Sequence, residues 1–285
     1  MRVLGVNCLS HDAGVSVVEE GRILYHKKGN GHLLTPEIAY EVKWLKPDVV
    51  SFFEKPWLKK TRQLYSGEHH LLLDPLPHAY MKTLGIDLPY VYQSHHESHA
   101  ATGYYTSGYN HAVVFVFDAI GEWDCTSVWR AEGNSLTKLY SEKYPRSLGL
   151  FYSAFTKLLG FKPNSEEHLF YNLSTIGQAR YKEQVKKYLH RNVHTGIGDW
   201  NLPLDADVAA SVQSVFSDKV DELVNRFKGV SGNAVFMGGC AMNAYIKTVG
   251  KKFDDFYVYM NPGDVSSSIG AAILMNPQKV VFDNA

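Results

Sequence analysis

The chain has 285 residues, 45% of them hydrophobic and 20% charged, and this balance excludes a disordered or fibrous protein. Its 29 basic and 29 acidic side chains cancel, which argues against electrostatic wrapping of long nucleic acid. The three cysteines, Cys8, Cys125 and Cys240, lie far apart without a CxxC pair, so neither a disulfide framework nor a zinc ribbon is predicted. No apolar run reaches the roughly 18 residues of a membrane span, and we expect a cytoplasmic protein without membrane contact.

Apolar, β-branched runs alternate with helical periods along the chain, which predicts an α/β protein. In the first part, the pattern predicts strands over residues 2–7, 14–19 and 22–26, and helices over 36–45 and 96–107. In the second part, it predicts strands over 112–118, 126–130, 234–237 and 256–260, and helices over 148–159, 179–190, 207–227 and 266–274.

Two turns that follow buried strands are alike. Residues 10–14 and 118–122 each combine a carboxylate with a glycine directly after an apolar strand. This repeat predicts an internally duplicated fold, with one half over 1–110 and the other over 111–285. Strand-to-glycine transitions at 238–243 and 261–264 are typical both of plain turns and of sites where backbone amides bind phosphate or a nucleoside.

The most informative motif is the pair His95 and His99. Residues four apart share one helix face, so both imidazoles can reach one divalent cation, with iron, zinc and manganese as candidates. Asp118 ends a strongly apolar strand, where side chains of α/β sheets commonly meet ligands. Asp264 lies in a Pro-Gly-Asp turn, where it is either a further ligand or a helix N-cap. Two histidines with two aspartates favour iron or manganese over a structural zinc site.

Four short blocks carry further information. They are NCLSHDA at 7–13; HHESHAA at 95–101 with DAIGE at 118–122; SLGLFY at 147–152 with LGFKPN at 159–164; and GGCAMN at 238–243 with Gly-Asp at 263–264. In this order they resemble the amino-terminal domain of the O-carbamoyltransferase family that modifies antibiotics and nodulation factors. The blocks span nearly the whole chain.

The resemblance implies a duplicated actin-like and Hsp70-like (ASKHA) nucleotide-binding fold, with mixed sheets flanked by helices. It also implies a reaction in which carbamoyl phosphate and ATP give carbamoyladenylate, and the carbamoyl group then passes to a substrate hydroxyl beside Fe(II) or another divalent metal. The implied metal ligands are His95, His99, Asp118 and Asp264.

The remaining site residues follow from the same resemblance. His11, with Asp12 beside it, would act as a general base or position the carbamoyl group; the alternative for His11 is a histidine fixed in a turn by hydrogen bonds. The implied contacts of the nucleotide are Gly121, Ser147, Gly238, Gly239 and Asn243. Lys27 and Glu167 would contact the substrate, although Glu167 also suits an exposed helix start.

The chain departs from the family pattern in two loops and at its end. Residues 27–31 (KKGNG) replace a Glu-Glu-Arg signature, and residues 169–174 (LFYNLS) replace Lys-x-Met-Gly-Leu-Ala, so we expect altered phosphate or acceptor contacts. The sequence ends about where the family's adenylate-forming domain begins. We therefore expect no separate adenylate-forming domain, with activation either within this domain or on another polypeptide.

The sequence thus predicts a metal-dependent O-carbamoyltransferase. One candidate acceptor is the 5-hydroxymethyl group of a modified cytosine in DNA, and the other is a sugar or antibiotic hydroxyl. Two alternatives remain: a non-catalytic nucleotide-binding subunit of a two-chain enzyme, and a tRNA threonylcarbamoyl transferase. The SLGLFY block favours the carbamoyl branch over the tRNA enzyme.

Overall fold

The computed structural model describes residues 1–282, and within them the strands form two sheets. The strands are β1 (Arg2–Asn7), β2 (Gly14–Glu19), β3 (Arg22–Lys28), β4 (Val49–Phe52), β5 (Tyr90–Tyr92), β6 (His111–Phe117), β7 (Asp124–Glu132), β8 (Ser135–Lys143), β9 (Asn233–Met237), β10 (Asp255–Val258) and β11 (Val281–Phe282). The helices are α1 (Pro36–Trp44), α2 (Pro56–Ser66), α3 (Pro77–Thr83), α4 (His95–Thr106), α5 (Leu148–Leu158), α6 (Glu167–Ser174), α7 (Lys182–Lys186), α8 (Ala206–Phe227), α9 (Tyr245–Gly250) and α10 (Asp264–Ile273).

The two sheets share a local plan. The strand order is β11-β3-β2-β1-β4-β5 in the first sheet and β10-β9-β6-β7-β8 in the second. In each, an interior strand (β1 or β6) pairs antiparallel with the next strand in sequence and parallel with a later one (β4 or β9). The predicted α/β architecture of mixed sheets flanked by helices is therefore confirmed. The boundary between halves at 110 and 111 stays a prediction, and β11 joins the first sheet by pairing with β3.

Strand alternation explains why β6 lies inside the molecule. Val113, Phe115 and Phe117 face a core formed with α5 and α8, whereas Val114 and Val116 face the opposite side. Successive side chains of a strand point to opposite faces, so a strand that is apolar at every position must be covered twice. The layer between the two sheets is formed by α4 and α10. On the far face of the first sheet, α1 and α3 cover a third core.

Close packing of α10 against α4 brings two ligand-bearing segments together. A Cβ at Gly270 would lie 1.8 Å from the carbonyl oxygen of Ser98, so only glycine allows the helices to approach this closely. The hydroxyl of Thr102 also accepts a hydrogen bond from Gly270 N at 2.9 Å. This contact fixes the distance between the first turns of α4 and α10.

The helix predicted over 179–190 is shorter than expected. It consists of α7 and a following 3₁₀ turn at Lys187–His190. Gln178 N donates to Asp207 Oδ1, and Tyr181 N donates to Ser211 Oγ, so α8 holds this stretch outside a helix. Among residues 1–282, no helix combines the length and apolar character needed to cross a membrane.

Candidate functional site

The first turn of α4 is held in place by a carboxylate from the second sheet. Ser94 is the N-cap residue, but its side chain makes no capping hydrogen bond. Instead, Glu122 Oε1 accepts from His95 N at 3.1 Å and from Lys55 N at 2.9 Å. A carboxylate at this position satisfies amides that the helix cannot pair and interacts favourably with the helix dipole. The backbone that carries His95 is therefore anchored from outside its own helix.

The four predicted metal ligands converge at the point where α4, α10 and the end of β6 meet. One donor atom from each of His95, His99, Asp118 and Asp264 lies within 4.8 Å of all the others. His95 Nε2 is 3.1 Å from Asp118 Oδ2 and 3.4 Å from Asp264 Oδ1. His99 Nε2 is 3.1 Å from Asp264 Oδ1. All four side chains are buried.

Asp264 is not the N-cap of α10. Gly263 occupies the N-cap position, and Asp264 is the first helical residue. Its carboxylate accepts hydrogen bonds from histidine rings of α4. The capping interpretation of this residue is therefore wrong, because the side chain is directed across the helix interface.

The donor set fits a divalent cation. Two imidazole nitrogens and two carboxylates face one another in a buried space, and two buried carboxylates this close together are costly unless positive charge, from a protonated imidazole or a bound cation, lies between them. His95 Nδ1 lies 3.5 Å from Glu54 Oε2, an arrangement that leaves Nε2 free to ligate. The mixed nitrogen and oxygen donors suit iron or manganese.

Among the protein groups alone, the charges are strongly coupled. Burial lowers the pKa of His95, but the carboxylates of Asp264 and Asp118 outweigh burial and raise this pKa well above its ordinary value. Burial raises the pKa of Asp264, yet the positive charge and hydrogen bond of His95 hold it well below its ordinary value. A cation in this space would compete with the proton of His95.

His11 and Asp12 lie at the rim of the same space. His11 Nε2 is 3.5 Å from Asp264 Oδ2, and its Nδ1 is 3.2 Å from Asp12 Oδ2. The hydrogen bond that His11 donates to Asp12 is the largest cause that raises the pKa of His11 to about 9; burial opposes it, and Asp264 and Asp118 add to it. Since half of the His11 side chain is exposed, it can meet a molecule arriving from solvent.

The turn at residues 238–243 lies beside the proposed metal ligands. Gly239 N donates to Asp118 Oδ1 at 3.2 Å, and Gly238 has a φ of 86°. The side chain of Asn243 donates a hydrogen bond from Nδ2 to Gln213 Oε1 at 3.0 Å. The predicted nucleotide turn and the metal ligands are therefore adjacent, while the roles of these residues stay predictions.

Gly121 and Ser147 lie at the turn formed by residues 118–122. A Cβ at Gly121 would lie 2.9 Å from the ring of His96, so this glycine packs against the base of α4. Ser147 is the N-cap of α5; its hydroxyl donates to Ala119 O at 2.5 Å and accepts from Leu150 N at 3.0 Å. These contacts place both residues at the 118–122 turn and occupy the hydroxyl of Ser147.

The two predicted substrate contacts are engaged with other residues. Glu167 Oε1 accepts from Ser153 Oγ at 3.0 Å and from Asn164 N at 2.6 Å. Lys27 Nζ lies 2.9 Å from Glu41 Oε2. Their role in binding substrate stays a prediction.

Sequence reasoning missed several residues that complete the centre. Glu54 and Glu122 contact His95 from two sides, and Lys59 lies 2.6 Å from Glu54. Lys28, the neighbour of Lys27, lies 2.9 Å from Asp12 Oδ1. The DAIGE block contains Glu122, but nothing in the local sequence of the other three residues signals their contacts.

Comparison with known proteins finds a family match and several relatives. Residues 57–196 match the family described as Carbamoyltransferase N-terminus. The chain is 29% identical over 310 residues to an uncharacterized protein of Synechocystis sp., covering 94% of this chain and 49% of that protein. It is 25% identical over 213 residues to the nodulation protein NolO of Bradyrhizobium diazoefficiens, covering 65% of this chain and 38% of that protein. The chain spans about half the length, or less, of these curated relatives.

Solved structures with little sequence identity share the fold. HypF of T. kodakarensis matches 96% of this chain and 47% of its own, with a TM-score of 0.59 at 13% identity. The activator of the 2-hydroxyisocaproyl-CoA dehydratase from Clostridium difficile, solved with bound ADPNP, matches 96% and 94%, with a TM-score of 0.54 at 15% identity. These matches confirm the actin-like and Hsp70-like (ASKHA) fold. Residues 57–196, just under half of the chain, are thus similar to the amino-terminal domain of the carbamoyltransferase family.

Proposed function

We propose that the chain transfers a carbamoyl group from carbamoyladenylate, formed from carbamoyl phosphate and ATP, to an acceptor hydroxyl. The proposed site contains a divalent cation, with Fe(II) as the first candidate. The observation that carries the proposal is the convergence of His95, His99, Asp118 and Asp264 within 4.8 Å in a chain whose residues 57–196 match the carbamoyltransferase amino-terminal family.

The transfer requires removal of a proton and stabilisation of negative charge. The acceptor oxygen attacks the carbamoyl carbon, the bond from that carbon to the adenylate phosphate oxygen breaks, and AMP leaves. A bound divalent cation would supply a Lewis acid for the charge that develops on the carbamoyl oxygen. His11 is the proposed base for the hydroxyl proton, because its imidazole lies at the rim of the site and is held by Asp12.

The raised pKa of His11 is compatible with this role only when the neighbouring charge is offset. Besides the hydrogen bond that His11 donates to Asp12, the charges of Asp264 and Asp118 raise the pKa of His11. Ligation of a cation by these two aspartates offsets that part of the shift and brings the imidazole closer to neutral pH. The proposed base and the proposed ligands therefore form one electrostatic unit.

The nucleotide is proposed to bind along the 238–243 turn, with Gly121 and Ser147 on the facing turn. The contact from Gly239 N to Asp118 supports this position, since it places the turn beside the transferred group. The acceptor is proposed to carry a ring. Exposed aromatic side chains on α2, the helix that also carries Lys59, support this class: Trp57 and Tyr65 are 64% and 66% exposed.

Mass spectrometry of candidate acceptors tests the proposal. Protein, Fe(II), carbamoyl phosphate and ATP are incubated with hydroxymethylcytosine DNA or with an aminoglycoside, and a parallel reaction receives preformed carbamoyladenylate. The expected result is an added carbamoyl group that the His95→Ala variant does not produce. An adduct only from preformed carbamoyladenylate would assign activation to another polypeptide. If the protein binds nucleotide but forms no adduct on any ring-bearing alcohol tested, with either carbamoyl donor, the result would favour a non-catalytic subunit.

A further inference from the structure

Lys59 of α2 contacts two parts of the site that are distant in sequence. Its Nζ lies 2.6 Å from Glu54 Oε1 and donates to the carbonyl oxygen of Leu9 at 3.1 Å. Glu54 in turn holds His95, with Oε2 at 3.5 Å from Nδ1. Leu9 lies in the loop between β1 and β2 that carries His11. One ammonium group thus joins the outer layer of the metal centre to the loop of the proposed base.

The Leu9 end of this connection is conformationally demanding. Leu9 has a φ of 61°, in the left-handed region that a branched side chain rarely adopts. Its backbone N–H is held by the carbonyl oxygen of His32 at 2.8 Å, and its carbonyl oxygen is held by Lys59. Such a backbone persists only when its surroundings fix it. Removing the ammonium leaves this loop with one of these two hydrogen bonds.

At the other end, the ion pair between Lys59 and Glu54 is largely buried. A contribution to stability alone does not explain such a pair, because removing both charges from water is costly. Glu54 is 5% exposed, and the Lys59 side chain is 17% exposed. A buried ion pair usually contributes little net stability compared with apolar side chains of similar size, whereas a carboxylate behind a metal-binding histidine orients that ring. The Glu54 carboxylate uses one oxygen for each partner, so the lysine also fixes the orientation of the carboxylate towards His95.

We propose that Lys59 is a positioning residue that couples the metal centre to the His11 loop. Through Glu54 it orients the imidazole of His95, and through the Leu9 carbonyl it holds the loop from which His11 reaches Asp264. The first part rests on the proposed metal site, whereas the second part is independent of any metal.

The test uses three variants that remove charge, one that keeps it, and two readouts. Glu54→Gln, Lys59→Met and the double variant are titrated with Mn(II), and amide exchange is followed for residues 8–13. Glu54→Gln should weaken metal binding by about 10- to 100-fold. Lys59→Met should weaken it as well and should also increase exchange in the loop several-fold. Lys59→Arg, which keeps the charge, should restore much of the metal affinity.

The double variant separates coupling from general damage. Because Lys59 acts on His95 through Glu54, the double variant should bind metal no more weakly than Glu54→Gln alone, while its loop should exchange as fast as in Lys59→Met. It also removes both buried charges, so it remains informative if Lys59→Met alone does not fold. Lys60→Met is the matched control, since Lys60 Nζ donates to carbonyls of Leu72 and Asp74, at 2.7 and 3.0 Å, and should change neither readout.

Two results would overturn the inference: additive losses of metal affinity in the double variant, or loop exchange in Lys59→Met that equals the exchange of the unmodified protein. If the unmodified protein binds no Mn(II) or Fe(II), the proposed metal site fails instead. The exchange measurement would still decide whether Lys59 holds the loop.

Discussion

The Nε2 atoms of His95 and His99 lie 3.2 Å apart, and Asp264 Oδ1 lies 3.4 Å from the first and 3.1 Å from the second. One turn of α4 accounts for the shared direction of the two rings, because side chains four residues apart stand above one another. The carboxylate arrives from a helix 165 residues later in the chain. Local helix geometry and long-range packing therefore build the same set of donors.

Removal of either histidine should abolish metal binding while the fold is kept. We expect His95→Ala and His99→Ala to lose stoichiometric Fe(II) or Mn(II), because three donors remain and buried carboxylates lose their partner. The free energy of unfolding of the metal-free variants should fall by roughly 1–3 kcal/mol. Metal analysis and circular-dichroism melts measure both effects. His111→Ala, at the exposed start of β6, is the control, and full metal content in both site variants would contradict the assignment.

Metal affinity should rise with pH. The carboxylates of Asp264 and Asp118 overcome burial and keep the pKa of His95 high in the metal-free protein, so ligation must displace its proton. The apparent association constant should increase about tenfold per pH unit while one proton is released and level off above the pKa of His95. Titrations with Mn(II) between about pH 5.5 and about pH 8 measure the slope. A flat profile would show that His95 enters the site already neutral.

The sequence was sufficient for parts of the site that depend on local periodicity. The HxxxH spacing predicted two rings on one face of α4, and the apolar run before Asp118 predicted a strand that ends at the site; the structure brings these side chains together. The position of Glu54 and Lys59 could not be predicted in this way. Glu54 follows β4 and Lys59 lies in α2, in a stretch for which no element was predicted. The contacts of Glu54 with His95 and of Lys59 with Leu9 each span more than 40 residues.

The two lysines at the end of β3 show a second limit. Strand pairing places Lys28 opposite Gly14 and Lys27 opposite Val15, so they leave the sheet on opposite faces. The register of this pairing shifts between Val17 and Val18. A shift of one residue exchanges the faces of a strand, and a sequence pattern contains no direct sign of such a bulge. Lys28, on the face opposite to Lys27, reaches Asp12, and the substrate contact predicted for Lys27 stays a prediction.

Gly238→Ala should damage the fold at the proposed nucleotide turn. Gly238 has a φ of 86° and a ψ of 163°, a region almost restricted to glycine, and an added Cβ would lie 2.3 Å from the carbonyl oxygen of Phe117. We expect a loss of more than about 2 kcal/mol in the free energy of unfolding, measured by urea denaturation. Gly198→Ala, where an added Cβ meets no neighbouring atom, should change stability by less than about 0.5 kcal/mol. Equal effects of the two substitutions would show that the turn can rearrange.

His11→Ala should separate chemistry from metal binding. His11 contacts the ligand Asp264 only at 3.5 Å and is half exposed, so its loss should leave the metal content unchanged. If its imidazole accepts the proton of the acceptor hydroxyl, the rate of carbamoyl transfer should fall by about 10²- to 10⁴-fold. Single-turnover assays with preformed carbamoyladenylate measure this step without the activation reaction. His32→Ala, an exposed residue near the same loop, is the control; an equal fall in both variants would assign the effect to the loop, whereas an unchanged rate in His11→Ala would exclude His11 as the base.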